Sequence, residues 1–321
     1  MHNRIIKNQY SIKNHIYAAL ILISSVAFAD QERAWTTLNL GDMINTENYE
    51  AFPTITKDGL NLYFARGSAR KTDGTKVKTW GAVDDWDIYV STRGNLSDSW
   101  SKPKRLPDHI NTGGEEHSVS LSPDGHWMYF SSNNLNTLGQ MDIFKSYRKD
   151  INDPLSWGKP QNLGSMVNTE QFDVCVVYHQ EKDSPLVNLY FVSNREGGLG
   201  HVDAWRIDYD PIKDSYAEAQ HIPIVSSPSL DGHLDPEAGY IWSEREGGIG
   251  LGDLWHSARD KNGNWLAPTN LGSSINTKYE EQMPSPFDHG RVIYFPSNRP
   301  GGNGNLDIYI AEKNDLAING N

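Results

Sequence analysis

Residues 116–130 read EHSVSLSPDGHWMYF and have the pattern of a β-hairpin. Two segments rich in strand-forming residues flank Pro123-Asp124-Gly125. These turn residues tolerate the backbone angles that a tight hairpin requires. The second segment is apolar and aromatic, as expected of a buried strand. The stretch therefore predicts two adjacent antiparallel strands, the first of which opens with a carboxylate.

This hairpin is one copy of a unit that recurs along the chain. Each copy begins with Asn-Thr, or once with Ser-Ser, and continues through three residues to a carboxylate. The five copies are Asn45-Thr46 with Glu50, Asn111-Thr112 with Glu116, Asn168-Thr169 with Asp173, Ser226-Ser227 with Asp231, and Asn276-Thr277 with Glu281. They lie about 50 to 66 residues apart, in the range of propeller blades.

The units carry signals for up to four strands. An aromatic second strand follows the turn, and a glycine-rich loop then leads to a third strand that opens with aspartate. These aspartates are Asp87, Asp142, Asp203, Asp253 and Asp307. The fourth strand is expected to start at Trp100, Trp157 or Trp265. Four strands per unit make one blade of a propeller.

The fifth unit ends near Lys313 without a fourth strand of its own. Residues 35–41, Trp-Thr-Thr-Leu-Asn-Leu-Gly, precede the first Asn-Thr and supply the missing strand. Pairing them with the last blade closes the ring and covers an open edge. The sequence thus predicts an all-β, five-bladed β-propeller of four-stranded antiparallel blades over residues 30–315, with a C-terminal tail at 316–321.

Residues 1–29 have the pattern of a secretory signal peptide. They hold Arg4, Lys7 and Lys13 and no acid, then an apolar run over 16–28 that ends in Ala-Phe-Ala. A membrane anchor is the alternative, but a spanning helix needs about 20 apolar residues, and small residues at the end of the run favour cleavage. We expect a periplasmic or secreted protein with no transmembrane segment after cleavage.

Composition excludes some partners. The chain has 41 acidic and 29 basic residues and a net charge of −12. Such a charge repels nucleic acid and anionic lipid, because binding to either depends on attraction to phosphate. Cys175 is the single cysteine, so no internal disulfide forms and burial must supply the stability.

The units resemble the TolB-type, WD-repeat-like propeller repeats of bacterial envelope proteins. The resemblance rests on residues 116–130 together with 193–203 (SNREGGLGHVD) and 297–309 (SNRPGGNGNLDIY). It covers nearly the whole mature chain and implies the fold. Such repeats occur in binding proteins, envelope scaffolds and some polysaccharide-degrading enzymes, so it implies no single activity.

The repeated carboxylates are the first candidate site. In a propeller the first strands line the central channel, so Glu50, Glu116, Asp173, Asp231 and Glu281 are expected to form a ring at one channel mouth. One interpretation is a structural residue that bonds the backbone of each repeat. The other is a ligand or cation site, for which oxygen ligands favour Ca²⁺. His117 and His233 stand beside two of the acids and are candidate ligands.

The loops between second and third strands are the second candidate site. They hold Arg195, Arg245 and Arg299 next to paired glycines or Pro-Gly-Gly. Each arginine is expected to pair with a nearby carboxylate, and contact with a ligand is the alternative. The first blade has a longer loop, residues 66–86, whose Trp80 and basic residues suit a sugar ring or an anionic group.

Two functions remain open at this point. The first is a non-catalytic binding or assembly module of the envelope that engages a protein or glycan on the channel face. The second is a carbohydrate-active enzyme, a glycoside hydrolase or polysaccharide lyase, that uses carboxylates at the channel mouth. Hydrolysis requires two carboxylates in different environments, and the sequence singles out no such pair.

Overall fold

The computed structural model describes residues 35–69 and 83–314. The predicted signal peptide, Trp80 and the C-terminal tail lie outside these residues. The propeller body is Thr36–Glu312. The residues on either side of it form a second unit, of which only Trp35, Lys313 and Asn314 are described.

The body contains five antiparallel sheets arranged as the blades of a five-bladed β-propeller, which confirms the predicted fold. The first blade consists of β2 Tyr49–Ile55, β3 Asn61–Ala69, β4 Val83–Thr92 and β5 Lys104–Arg105, and the second of β6 Glu116–Leu121, β7 Trp127–Ser132, β8 Asp142–Tyr147 and β9 Gln161–Asn162. The third blade consists of β10 Asp173–His179, β11 Val187–Ser193, β12 Asp203–Asp210, β13 Ser215–Tyr216 and β14 Gln220–His221. The fourth consists of β15 Asp231–Leu234, β16 Tyr240–Ser243, β17 Asp253–His256 and β18 Thr269–Asn270. The fifth blade consists of β19 Ser285–Phe287, β20 Val292–Ser297, β21 Asp307–Lys313 and β1 Trp35–Asn39.

The ring closes as predicted. β1 is the outer strand of the fifth blade and pairs with β21. The Leu40 N–H donates to the Ile308 carbonyl at 3.1 Å, and Asn39 Nδ2 donates to the Asp307 carboxylate at 2.9 Å. The two distant ends of the repeat array are therefore joined by strand pairing within one blade.

The outer strands differ from the prediction in length and position. β5, β9 and β18 have two residues each and begin four residues after the tryptophans where the sequence placed their starts. Trp157 and Trp265 instead form single bridges to Arg148 and Arg259. In the third blade the outer strand is split into β13 and β14, which both pair with β12.

The core lies between neighbouring blades. The aromatic second strands are buried as predicted, and one cluster joins Tyr63 and Ile88 of the first blade to Met128, Phe130 and Phe144 of the second. Burial of such side chains contributes roughly 1.5–3 kcal/mol each. Each blade therefore depends on the next for its stability.

The corner between blades is fixed by an asparagine. At the ring closure, Asn45 Oδ1 accepts from the Ile308 N–H at 2.8 Å, while Asn45 Nδ2 donates to the Ile308 carbonyl and to Asn39 Oδ1, both at 2.9 Å. Asn111, Asn168 and Asn276 bond in the same way to the third strand of the preceding blade. The repeated Asn thus has a structural role.

A glycine in the loop before the third strand lets the next corner approach. A Cβ added to Gly304 would lie 2.5 Å from the Thr46 carbonyl and 2.2 Å from the Asn48 carbonyl. The Gly304 N–H donates to Asp307 at 2.9 Å. The glycine-rich loops are therefore close backbone connections between blades. Among the described residues, no helix has the length and hydropathy of a membrane span.

The asparagine corner leads to a stability prediction. Asn45 is 1 % exposed, so Asn45→Ala leaves the N–H and carbonyl of Ile308 without these buried partners. We expect the free energy of unfolding to fall by about 2–4 kcal/mol, measured by urea denaturation. The exposed Asn152 provides the control, since Asn152→Ala should change stability by less than about 0.5 kcal/mol. Equal stability of the two variants would contradict the role of the corner.

Candidate functional site

The repeated carboxylate is buried among hydrogen-bond donors of its own repeat, and we call the acid together with these donors the clasp. In the fifth blade, Glu281 accepts hydrogen bonds from the Thr277 N–H and Thr277 Oγ1, both at 2.7 Å. Ser297 Oγ and Arg299 Nη2 donate to it at 2.9 Å each. Arg299 also donates to the Ile275 carbonyl at 2.7 Å. The acid therefore connects the start of the first strand to the end of the second strand and its loop.

Most blades repeat this clasp. The corresponding acid–arginine pairs are Glu50 with Arg66, Asp173 with Arg195 and Asp231 with Arg245. The second blade departs from the pattern, because Ser132-Asn133-Asn134 stands where the third and fifth units have Ser-Asn-Arg. Glu116 there bonds Thr112 and Ser132. The sequence prediction that each loop arginine pairs with a nearby carboxylate agrees with these contacts.

The clasp arginines are also packed against aromatic rings. The guanidinium carbon of Arg195 lies 4.7 Å from the Phe191 ring centre, and that of Arg299 lies 5.0 Å from the Tyr309 ring centre. Stacking and ion pairing together occupy both the planes and the edges of these groups. Arg195, Arg245 and Arg299 are therefore held as parts of the framework.

The repeated carboxylates have the first of the two roles considered from the sequence, that of a structural residue that bonds the backbone of its own repeat, and do not form an open ring of ligands at a channel mouth. The side chains of these acids are at most 1 % exposed and point into the clasps. The five acids are Glu50, Glu116, Asp173, Asp231 and Glu281. Within the described part of the chain, no three His, Cys, Asp or Glu side chains lie close enough to hold a metal ion. The Ca²⁺ alternative therefore has no ligand set among the described residues, because the donors that satisfy each acid come from its own repeat.

Burial also affects the protonation of two clasp acids. Desolvation raises the pKa of Glu50, although the hydrogen bonds from Thr46 and the charge of Arg66 oppose it. Desolvation likewise raises the pKa of Glu116, which the Thr112 and Ser132 hydrogen bonds oppose. Both shifts arise from the cost of holding a carboxylate away from water.

An axial cavity lies among the inner strands of the five blades, toward the ends opposite the clasps. Its volume is about 690 Å³. The first-to-second-strand turns surround its opening, and its walls come from the inner strands of the blades. The turn residues are Lys57, Asp58, Pro123, Asp124, Gly125, Asp235, Glu237, Ala238, Asp288, His289 and Gly290. Of the predicted site residues that the structure describes, His233 alone lines it.

A bulge in each inner strand shapes the inner end of this cavity. The residue two positions after the clasp acid has a positive φ in four blades, namely Phe52 at 51°, Ser118 at 59°, Cys175 at 55° and Met283 at 38°. In the fourth blade the register shifts between Asp231 and His233. The four residues with positive φ and His233 line the cavity, as expected where a bulge re-aims a side chain.

The two predicted histidines have different positions. His117 is 6 % exposed, stacks on Phe52 with ring centres 4.1 Å apart, and shares a 2.6 Å hydrogen bond with Ser118 Oγ. Desolvation lowers the pKa of His117 to about 3. It also lowers the pKa of His233 to about 4, against a hydrogen bond to the Pro284 backbone. His117 is a neutral core residue, whereas His233 is a neutral imidazole at the cavity wall.

An unlike pair of carboxylates lies at the cavity opening in the fourth blade. Desolvation raises the pKa of Asp235 to about 7; the Ala238 N–H opposes this shift and the charge of Glu237 adds to it. The Ala238 bond is 2.7 Å long. Glu237 is exposed and pairs with Lys57 at 3.2 Å. The two side chains thus experience different environments, since Asp235 is partly buried and Glu237 faces a cation and solvent.

Sequence reasoning missed this pair, although it left a signal. Asp235-Pro236-Glu237 occupies the turn where the second unit has Ser122-Pro123-Asp124. The Ser122 N–H donates to the Trp127 carbonyl, and the Asp235 N–H donates to the Tyr240 carbonyl, so the two turns are equivalent. Asp235 therefore has a carboxyl group where Ser122 has a hydroxyl, and this difference marks a departure from the symmetry of the repeats.

No family model and no curated protein matches the chain. Solved structures with the same architecture include the catalytic domain of a Coprinopsis cinerea GH62 alpha-L-arabinofuranosidase, with a TM-score of 0.54 and 10 % identity over 88 % of this chain and 98 % of that one. A family 117 glycoside hydrolase of the marine bacterium Zobellia galactanivorans has a TM-score of 0.55 and 13 % identity over 87 % and 90 %. An alpha-L-arabinofuranosidase of Lactobacillus brevis has 0.51 and 11 % over 85 % and 91 %. At these identities the likeness establishes the fold alone.

The clasp leads to a prediction about charge and metal. Arg299→Gln leaves Glu281, which is 0 % exposed, without its cation, and should lower the free energy of unfolding by about 3–5 kcal/mol. The double variant with Glu281→Gln should lose less, because no buried charge remains. Addition of Ca²⁺ or a chelator should leave the melting temperature of the wild type unchanged.

The control for this experiment is Arg291→Gln. Arg291 is half exposed, and its nitrogens lie 3.7 Å from Asp288 and 3.8 Å from Glu312. Such surface pairs contribute about 0–1 kcal/mol. A calcium-dependent rise in melting temperature that is lost in Arg299→Gln would contradict the structural role of the clasp.

Asp235 leads to a prediction about pH. Its folded pKa of about 7 lies above the ordinary value of 3.8, so the folded state binds the extra proton. Stability should therefore fall as pH rises from about 4 to 7. Asp235→Asn removes this penalty and should raise the free energy of unfolding by about 1–3 kcal/mol at pH 8, with no gain at pH 4. A gain of equal size at both pH values would contradict the assignment.

Proposed function

We propose that this protein is a carbohydrate-active propeller, a glycoside hydrolase that takes its saccharide into the axial cavity. The observation that carries the proposal is the unlike carboxylate pair, Asp235 and Glu237, at the opening of a cavity of about 690 Å³. A cavity of that size suits a small saccharide. The five-bladed architecture shared with glycoside hydrolases is consistent with this chemistry.

The roles of the two acids follow from their surroundings. Asp235 keeps its proton near neutral pH and is suited to protonate the oxygen of the leaving sugar. Glu237 faces solvent beside Lys57 and is suited to stabilise positive charge on the reacting sugar or to orient water. His233 is neutral and contributes a polar edge to the same cavity.

A binding function without catalysis is the second candidate. It is favoured by the near-equivalence of the blades, in which the repeated acids are all satisfied by their own clasps. In that case the cavity would hold a glycan or a protein segment without turnover. We retain the predicted export to the periplasm or outside the cell, and the TolB-type resemblance, as parts of this proposal.

Activity measurements separate the two candidates. The purified protein is incubated with arabinoxylan, galactan, pectic and alginate polysaccharides, and release of reducing ends is followed from pH 5 to 9. We expect turnover of at least one polymer, with kcat/KM declining above about pH 7 as Asp235 loses its proton. Asp235→Asn should lower kcat by about 10²- to 10⁴-fold and remove the alkaline decline.

The control is Glu170→Gln, which replaces an exposed acid away from the cavity and should keep wild-type turnover. Binding of a polymer without release of reducing ends would favour the second candidate. Turnover that persists unchanged in Asp235→Asn would overturn the assigned acid. Neither binding nor turnover by any polymer would overturn the carbohydrate proposal as a whole.

A further inference from the structure

A second cleft adjoins the axial cavity between the second and third blades. Its volume is about 440 Å³. Both cavities are lined by Ser122, Pro123, Asp124 and Tyr178, so they meet at the turn of the second blade. A chain molecule that occupies the axial cavity can therefore continue into the cleft without leaving the protein surface.

The cleft is lined by aromatic rings with polar edges. Trp127 and Tyr129 come from β7, Tyr178 from β10 and Tyr209 from β12. Trp127, Tyr178 and Tyr209 are partly exposed, and Tyr129 is buried behind them. Such rings offer an apolar face to the C–H side of a sugar and a hydroxyl or N–H at the edge.

Lys145 is the cation of this cleft. Its Nζ lies 5.2 Å from the Trp127 ring centre and 5.5 Å from the Tyr209 ring centre. Within the described part of the chain, no carboxylate lies within ion-pair distance of it. The side chain is half-buried, and the protein around it is strongly acidic. A cation in this setting is stabilised by an anionic ligand that brings its own charge.

The acids near the cleft are already engaged. Asp124 Oδ1 accepts from Ser122 Oγ at 2.5 Å and from the His126 N–H at 3.1 Å, which fixes the turn. Asp214 accepts from the Tyr209 hydroxyl at 2.7 Å. Lys145 is the cation among the residues that line the cleft.

We propose that this cleft, defined by Trp127, Tyr129, Lys145, Tyr178 and Tyr209, is a subsite for an acidic sugar residue of the bound saccharide. The ring of a uronic acid stacks on the aromatic wall, and its carboxylate pairs with Lys145. The inference rests on the proposed function and narrows its ligand class to acidic oligosaccharides that extend from the axial cavity.

The test compares an acidic ligand with its neutral methyl ester. Binding of tetragalacturonate and of its methyl ester is measured by isothermal titration calorimetry, with guluronate oligomers as a second acidic ligand. We expect the acid to bind about tenfold more tightly than its ester, since a charge-assisted bond is roughly twice as strong as a neutral one. This preference should decline with added salt.

Variants locate the preference. Lys145→Met should remove it, and Lys145→Arg should retain it. Trp127→Ala should weaken both forms. Lys278→Met is the matched control, because Lys278 also lies over a ring, 5.3 Å from the Tyr279 centre, but outside the cleft. Thermal unfolding of each variant checks that it is folded.

The outcomes distinguish this inference from the proposed function. Equal binding of acid and ester, or an acid preference that survives Lys145→Met, overturns the subsite and leaves the hydrolase proposal standing. Turnover of a neutral polymer with no binding of acidic oligomers also overturns the subsite and leaves the hydrolase proposal standing. No binding or turnover of any saccharide overturns both.

Discussion

The fold depends on the side-chain amide at the corner between blades, which bonds both the N–H and the carbonyl of one residue in the preceding blade. Asn45 does this across the ring closure with Ile308. A backbone bond from the Glu50 N–H to the Leu306 carbonyl, 2.8 Å long, reinforces the same joint. Because each blade buries its faces against neighbours, these joints convert five weak sheets into one cooperative ring. The fourth blade begins with Ser226, whose Oγ accepts one 3.2 Å bond from the Ala204 N–H, so this corner lacks the second half of the contact.

Much of the fold could be predicted from the sequence because the sequence pattern of one blade recurs five times. The spacing of the Asn-Thr corners, the aromatic second strands and the unpaired final unit together specified the number of blades and the ring closure. The placement of the acids could not be predicted in the same way. Periodicity indicates that Glu281 and its equivalents begin an inner strand, but it does not indicate whether the side chain faces the channel or folds back. The Thr277 donors four residues earlier decide that in favour of the clasp.

The candidate site depends on residues that differ between the repeats. A search for shared residues does not select such positions. Asp235 occupies the turn position of Ser122, and its raised pKa results from burial that the repeat geometry provides for a neutral hydroxyl. The cleft between the second and third blades combines Trp127 of one blade with Tyr209 of the next. Residues so far apart in sequence become neighbours only when the blades pack. Symmetry thus supplies the scaffold, and substitutions at single positions distinguish the candidate site from the other repeats.

The fourth blade combines the corner that has fewer hydrogen bonds, at Ser226, with a side chain that lowers stability, Asp235. An aspartate that remains protonated to about pH 7 reduces stability at higher pH, and Ser226 gives its corner one less bond than an asparagine would. A structural position would be more stable with a hydroxyl, as the equivalent Ser122 illustrates. Functional groups are commonly retained at such a cost in stability. The same desolvation that destabilises ionised Asp235 would keep it protonated in contact with a sugar, so its energetic penalty and its proposed role as an acid have one physical cause.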